Sequence, residues 1–169
     1  MDVKKLKTLA LLSVFVLILI GILSGCTKNS YDGSIEKQRI NLNMESYKDK
    51  QGVKAIFIKN KKGLIYKFII YGETNYSEYG TDILAAAVST LSMNTANSIN
   101  KFADAEMDYN ICKVNDKPYL EFELNKFNSK SGQDKATVLI ESLNYGLSDL
   151  ENQYGSEYVK VIVLDQNNY

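Results

Sequence analysis

The sequence predicts an α+β domain in which two helices cover one face of a mixed β-sheet, in the order β-β-α-β-β-α-β. Five short segments are rich in β-branched and aromatic residues, as strands are. Two longer segments between them carry apolar residues at three- and four-residue steps, as amphipathic helices do. Such helices cannot bury their apolar stripes alone, so a sheet is their expected partner. We assign this domain to residues 52–166.

The first two strands are predicted to form a β-hairpin. Residues 53–59 alternate in a way that suits a strand with one well buried face, and residues 64–71 form a second apolar run. Lys61, Lys62 and Gly63 lie between them and predict the turn. Charge runs of this kind are usually solvated, so we interpret these lysines as an exposed turn rather than a binding patch.

A loop and the first helix follow the hairpin. The loop runs from Gly72 to Gly80, and the side-chain oxygen of Thr81 or Asp82 is predicted to cap the helix. The helix is expected to end near residue 102, because apolar residues recur on one face up to that point. These residues are Leu84, Val88, Leu91, Ile99 and Phe102.

The second half of the domain has the same kinds of element without a sequence repeat. Residues 109–114 and 119–124 are predicted as strands joined by the polar turn 115–118, which holds the only proline. Ser131 is followed three residues later by an acidic residue, which predicts the start of the second helix. That helix precedes a glycine and a last strand at residues 158–164.

The composition excludes several classes of site. The chain has 20 basic and 20 acidic residues, and removing residues 1–25 leaves 17 basic and 19 acidic side chains. Such a mildly acidic body does not favour nucleic acid as a partner. There is no His and there are only two Cys, so cysteine-rich metal sites and disulfide frameworks are excluded. We found no cofactor motif, because Gly72 and Gly80 are too far apart for a phosphate loop.

The N-terminus has the pattern of a bacterial signal peptide. Lys4, Lys5 and Lys7 form a basic start, and residues 9–23 form an apolar core interrupted only by one Ser and one Gly. This core is shorter than the ~20 residues that span a bilayer well. Basic residues at this end are retained on the cytoplasmic side, so the remainder of the chain is predicted to lie outside.

The end of this segment resembles the lipobox of bacterial lipoproteins. It reads Leu-Ser-Gly-Cys and ends at Cys26. In that family the Cys thiol receives a diacylglycerol, and cleavage makes this residue the N-terminus. The resemblance implies a signal peptide at residues 1–25, lipidation with palmitate at Cys26, and a polar tether over residues 26–51. The domain is then held at the extracytoplasmic face of the cell membrane by its lipid; an uncleaved signal anchor is the alternative.

The loop and the first turns of the first helix resemble the signature of the Prp family. The segment from Gly72 to Ser89 reads GETNYSEYGTDILAAAVS. The family pattern is Gly-His, a short loop with an aromatic residue, then Gly-x-Asp-Ile-Val-Cys-Ala-Ala-Val-Ser. Prp proteins are ribosomal-processing cysteine proteases, which trim an N-terminal extension from a large-subunit ribosomal protein. The resemblance extends over residues 53–164 and includes the order of the elements.

The chain departs from the family pattern at the two catalytic positions. Glu73 stands where the family has its His base, and Ala85 stands where it has its Cys nucleophile. Ala85 has no atom that can attack a carbonyl carbon, and no His elsewhere can restore a Cys–His pair. We therefore predict a pseudoenzyme rather than an enzyme, a lipoprotein that binds a peptide or protein. The residues expected to bind it are Gly72, Tyr76, Tyr79, Gly80 and Asp82.

Other interpretations remain open at this level. The protein could be an active Prp-family ribosomal-processing peptidase, or a structural module that forms a homodimer through its sheet. The loop tyrosines could serve only to pack the loop onto the helix. Cys112 lies in an alternating strand and is interpreted as a small buried residue.

Overall fold

The computed structural model of the 169-residue chain describes Gly33, Ile35 and residues 50–165. The predicted signal peptide, the lipidation site at Cys26 and most of the predicted tether lie outside the described residues, so these remain predictions. No helix in the described part of the chain is both long and apolar enough to cross a membrane.

The domain is a five-stranded mixed sheet with two helices, and the predicted fold class is confirmed. In space the strand order is β3-β4-β2-β1-β5. β1 pairs parallel with β5, and all other neighbours pair antiparallel. The elements are β1 (Val53–Lys59), β2 (Ile65–Tyr71), α1 (Ile83–Phe102), β3 (Ala105–Val114), β4 (Lys117–Phe127), α2 (Lys130–Tyr154) and β5 (Val159–Leu164).

The core between sheet and helices is built on a row of aromatic rings. Phe57, Phe68 and Phe122 are register partners on neighbouring strands, so their side chains share one face. The ring centroids of Phe68 and Phe122 are 4.8 Å apart, and all three side chains are fully buried. Ile99 of α1 and Ile140 of α2 belong to the same buried cluster. Each such side chain contributes about 1.5–3 kcal/mol through burial.

The interior strand β1 is more deeply buried than its sequence pattern predicts. Alternation suggested one buried face, but Ile56 and Ile58 on the second face are also almost inaccessible, at 0% and 2% exposure. These residues are as apolar as Ala55 and Phe57 on the first face. A strand that is apolar on both sides is suited to the interior of a sheet, where β1 lies between β2 and β5.

The second hairpin has a shorter turn than predicted. Asn115 and Asp116 alone form it, with φ of 51° and 63°. Positive φ at both central residues is typical of the two-residue type I′ turn, which matches the twist of antiparallel strands. Pro118 therefore lies inside β4, paired with Lys113, rather than in the turn.

The N-cap of the second helix lies two residues before the predicted one. Ser129 is the N-cap, and its hydroxyl oxygen accepts a hydrogen bond from the backbone N–H of Gly132 at 3.0 Å. A Cβ at Gly132 would lie 2.6 Å from the carbonyl oxygen of Asp104, so this first turn packs closely on the end of the α1–β3 connection. Asp134 forms an ion pair with Lys130 at 2.8 Å instead of completing a capping box.

Candidate functional site

The loop from Gly72 to Gly80 leaves β2 at a position where only glycine fits. Gly72 has a φ of +101°, and a Cβ there would lie 2.8 Å from the carbonyl oxygen of Gly52. Its N–H donates to the carbonyl oxygen of Pro118 at 3.0 Å. The loop therefore starts from a backbone conformation that residues other than glycine rarely adopt. Its first residue is hydrogen-bonded to the neighbouring strand β4.

Asp82 connects this loop to the first helix. One carboxylate oxygen accepts from the backbone N–H of Ala85 at 2.8 Å and caps α1. The other accepts from the hydroxyl of Thr74 at 2.5 Å and from the backbone N–H groups of Tyr76 and Ser77 at 3.1 and 3.3 Å. Of the two caps that the sequence suggested, the structure selects Asp82. A single side chain thus closes the loop and starts the helix.

The carboxylate of Asp82 is held in its charged form. Desolvation by burial acts against the charge, but the hydrogen bonds from Thr74, Ala85, Ser77 and Tyr76 outweigh it, so the pKa of Asp82 is lowered from its ordinary value. All four bonds are donated to the carboxylate. Asp82 is therefore an anion at neutral pH with little capacity to act as a proton donor.

A cleft of about 570 Å³ opens between this loop, α1 and the strands β2 to β4. One wall is apolar. It is formed by five side chains from four different elements: Ile70, Val88, Met93, Ile111 and Leu120. Clefts of this size with an apolar wall and a few polar groups are typical ligand sites.

The two positions that the motif resemblance aligns with the family's His and Cys lie in the same cleft. Glu73 and Ala85 both line it, Glu73 from the loop and Ala85 from the first turn of α1. Glu73 is exposed, and its carboxylate makes no hydrogen bond or ion pair within residues 50–165. Ala85 is half-buried and presents only a methyl group.

The predicted binding residues divide into two groups. Four of them line the cleft: Gly72, Tyr79, Gly80 and Asp82. The fifth, Tyr76, contacts the rings of Tyr154 and Tyr158 edge-on, with centroids 5.2 Å away in each case. Tyr76 thus packs the loop against the end of α2. In the part of the chain that the structure describes, Tyr79 packs against no core element; its side chain is fully exposed at the mouth of the cleft.

Cys112 is a cleft residue that sequence reasoning placed wrongly. It was expected to be buried, but it is exposed and lines the cleft from the strand β3. β3 is an edge strand, so burial is reduced there. The only signal in the sequence was the polar character of its neighbours, among them Asn110, whose side-chain amide donates to the Cys112 sulfur at 3.8 Å.

The cleft can bind an apolar side chain and offers few free reactive groups. The hydroxyl of Ser92 donates to the carbonyl oxygen of Val88 at 2.7 Å and is buried, so it is already engaged. The hydroxyl of Ser89 is exposed on the lining. Cys112 is the register partner of Tyr119, so its thiol lies on the sheet face opposite to the face that carries Ile111 and Leu120. Within the described ranges no cluster of three or more His, Cys, Asp or Glu side chains has the arrangement of a metal site.

Comparison with known proteins gives a family and a fold. A family model described as cysteine protease Prp matches residues 53–160. Among solved structures, SMU.848 from Streptococcus mutans is 28% identical with a TM-score of 0.57, and the match covers 69% of this chain and 97% of that protein. No curated protein matches the sequence.

Two further structures share the fold. One is the ribosomal processing protease Prp from S. aureus with a covalently linked product peptide, at 19% identity and a TM-score of 0.57. The other is the same protease with a substrate peptide, at 18% identity and a TM-score of 0.51. In both cases the match covers 66% of this chain and 99% of the protease.

These findings contradict the prediction that the chain is not an enzyme. The matching family and the S. aureus neighbours are cysteine proteases. The prediction considered only the two positions occupied by Glu73 and Ala85, whereas the family match covers the whole of residues 53–160. The catalytic groups of this chain are not assigned by the match, because the chain contains no His to form a Cys–His pair.

Proposed function

Because the chain belongs to the cysteine protease Prp family, we propose that its domain takes a peptide segment of another protein as substrate and holds it in the cleft. One observation carries this proposal: Glu73 and Ala85, which the motif resemblance aligns with the family's catalytic positions, line the same cleft as five apolar side chains. The S. aureus proteases of the same fold are described with a substrate peptide and a product peptide. A peptide is therefore the ligand class that both the lining and the family favour.

The cleft suits an extended peptide with one large apolar side chain. That side chain would be buried against Ile70, Val88 and Leu120, which gains about 1.5–3 kcal/mol. Tyr79, fully exposed at the mouth, offers a flat surface that a bound peptide would cover. We expect dissociation constants in the micromolar range, which correspond to about −8 kcal/mol.

The test fills the cleft with a bulky side chain. Ala85→Phe places a ring in the cleft, and Ala86→Phe places the same ring on the next residue of α1, which is exposed and outside the lining. Full-length protein is purified in mild detergent and screened by fluorescence anisotropy against peptides, including N-terminal segments of large-subunit ribosomal proteins. Ala85→Phe should weaken binding about ten- to a hundredfold by excluding the apolar anchor. Equal effects of the two variants, or none from Ala85→Phe, would refute the cleft as the binding site.

Cleavage is followed in the same samples by mass spectrometry. Products that form with the wild-type protein and are lost in Cys112→Ser would assign the attack to the thiol of Cys112. Products that persist in this variant but are lost in Ala85→Phe would assign it to a group of the cleft. Products that persist in both variants would indicate a contaminating protease.

We also propose that the protein is a lipoprotein anchored through Cys26. The support is the order of basic start, apolar core and lipobox in residues 1–26. Each buried methylene of an acyl chain contributes about 0.8 kcal/mol to membrane binding, so two chains anchor stably. Cys26→Ser should abolish metabolic labelling with a palmitate analogue. Labelling that survives the substitution would contradict the proposal, and wild-type protein that stays in the membrane without any labelling would favour an uncleaved anchor.

A further inference from the structure

The charges on the cleft lining are of one sign. Glu73 and Asp82 contribute carboxylates, and no Lys or Arg is found among the described residues that line the cleft. The lining is otherwise neutral, with apolar residues, hydroxyls and one amide. An exposed carboxylate beside an apolar wall attracts cationic groups and repels anionic ones.

The two carboxylates are not equivalent. Asp82 accepts four hydrogen bonds from the loop and the helix start, so its carboxylate oxygens are already engaged. Glu73 accepts none from the described part of the chain. Elsewhere in the domain, Lys67 and Lys160 engage carboxylates of neighbouring elements in ion pairs. The charge of Glu73 is thus the one in the cleft that remains for a ligand.

We propose that Glu73 gives the cleft a preference for peptides that carry a Lys or Arg close to the apolar anchor residue. This inference rests on the proposed function, and it names the chemistry of the substrate. The carboxylate of Glu73 pairs with the cationic head, while the aliphatic stem of that side chain contacts the apolar lining. The exposed ring of Tyr79, on the same loop, offers a face for cation–π contact.

The experiment compares three peptides that differ at one position. Beside a fixed apolar anchor, they carry Lys, norleucine or Glu, and their affinity for the full-length protein in detergent is measured by anisotropy. The Lys peptide should bind about two- to fivefold more tightly than the norleucine peptide, as expected for a solvent-accessible ion pair. The Glu peptide should bind most weakly. The differences should shrink at high ionic strength, because exposed charges are screened.

Two charge-matched variants assign the preference to a residue. Glu73→Gln should remove the preference for Lys while retaining the affinity for the norleucine peptide. Glu78→Gln removes the same charge from the same loop at an exposed position outside the lining, and should leave the preference intact. Equal affinity for all three peptides, or a preference that survives Glu73→Gln, would overturn this inference and leave the peptide cleft standing. Failure of every peptide to bind would overturn both.

Discussion

Replacing Asp82 with Ala should destabilise the domain far more than removal of an ordinary helix cap. The capping bond to the N–H of Ala85 accounts for about 1 kcal/mol. The three bonds from Thr74, Tyr76 and Ser77 are partly solvent-accessible, so we assign each about 0.5 kcal/mol, at the low end of the usual range. The free energy of unfolding should therefore fall by about 2–3 kcal/mol.

The assay is urea-induced unfolding of the full-length protein at neutral pH, followed by far-ultraviolet circular dichroism. The matched control is Ser129→Ala, because Ser129 caps the second helix through one hydrogen bond and holds no loop. This control should cost about 1 kcal/mol. Asp82→Asn, which keeps a capping oxygen without the charge, should lie between the two. If Asp82→Ala costs no more than Ser129→Ala, Asp82 does not hold the loop, and the reasoning is refuted.

The pH dependence provides a second check of the same residue. The folded-state pKa of Asp82 lies below its ordinary value of 3.8. Its contribution to stability is therefore complete above that value and is lost as the pH falls through the folded-state pKa. The difference between wild type and Asp82→Ala should narrow as the pH is lowered below about 4. A difference that stays constant through this range would argue against a charged carboxylate as the source.

Two further perturbations test the surroundings of the cleft. Gly72→Ala should lower the free energy of unfolding in urea by about 2–4 kcal/mol, because it adds a clash with the Gly52 carbonyl oxygen to the strain of positive φ. Gly80→Ala should lower it by only about 1 kcal/mol, because a Cβ there meets nothing within 4 Å. Equal losses of stability in the two variants would refute the clash. The pKa of Lys67 is raised, because hydrogen bonds to the two glutamates of β4 outweigh its desolvation. Lys67→Met should therefore lower the free energy of unfolding by about 1–2 kcal/mol at neutral pH, and by less in acid, where those glutamates become protonated. A loss of stability that grows in acid would contradict this.

The sequence specifies the local structure of this domain well. All seven elements were predicted, and β1 was placed at Val53–Lys59 with the correct bounds. The glycines of the loop and the cap at Asp82 were also identified. These features depend on hydrogen bonds and conformations within a few residues, and residue type determines them directly.

Predictions failed where the outcome depended on distant neighbours. Ser131 is a reasonable cap by pattern, but the N-cap is Ser129, and the first helical turn packs at Gly132 against the backbone of Asp104. Cys112 has the alternation of a buried residue, yet its strand lies at the sheet edge and leaves it exposed. In both cases the partner that decides the outcome lies in another element.

By itself, the sequence determined the order of elements, the loop signature and the absence of His from the chain. Only the tertiary structure decided that β1 pairs in parallel with β5. It also decided that Tyr76 packs on α2 while the side chain of Tyr79 is exposed beside the cleft. Finally, it brought Ile111 and Leu120 into the apolar lining of the cleft. Periodicity and caps are encoded within one or two turns of chain. A cleft wall is assembled from residues far apart in sequence, and their proximity arises only when the strands pair and the helices cover them.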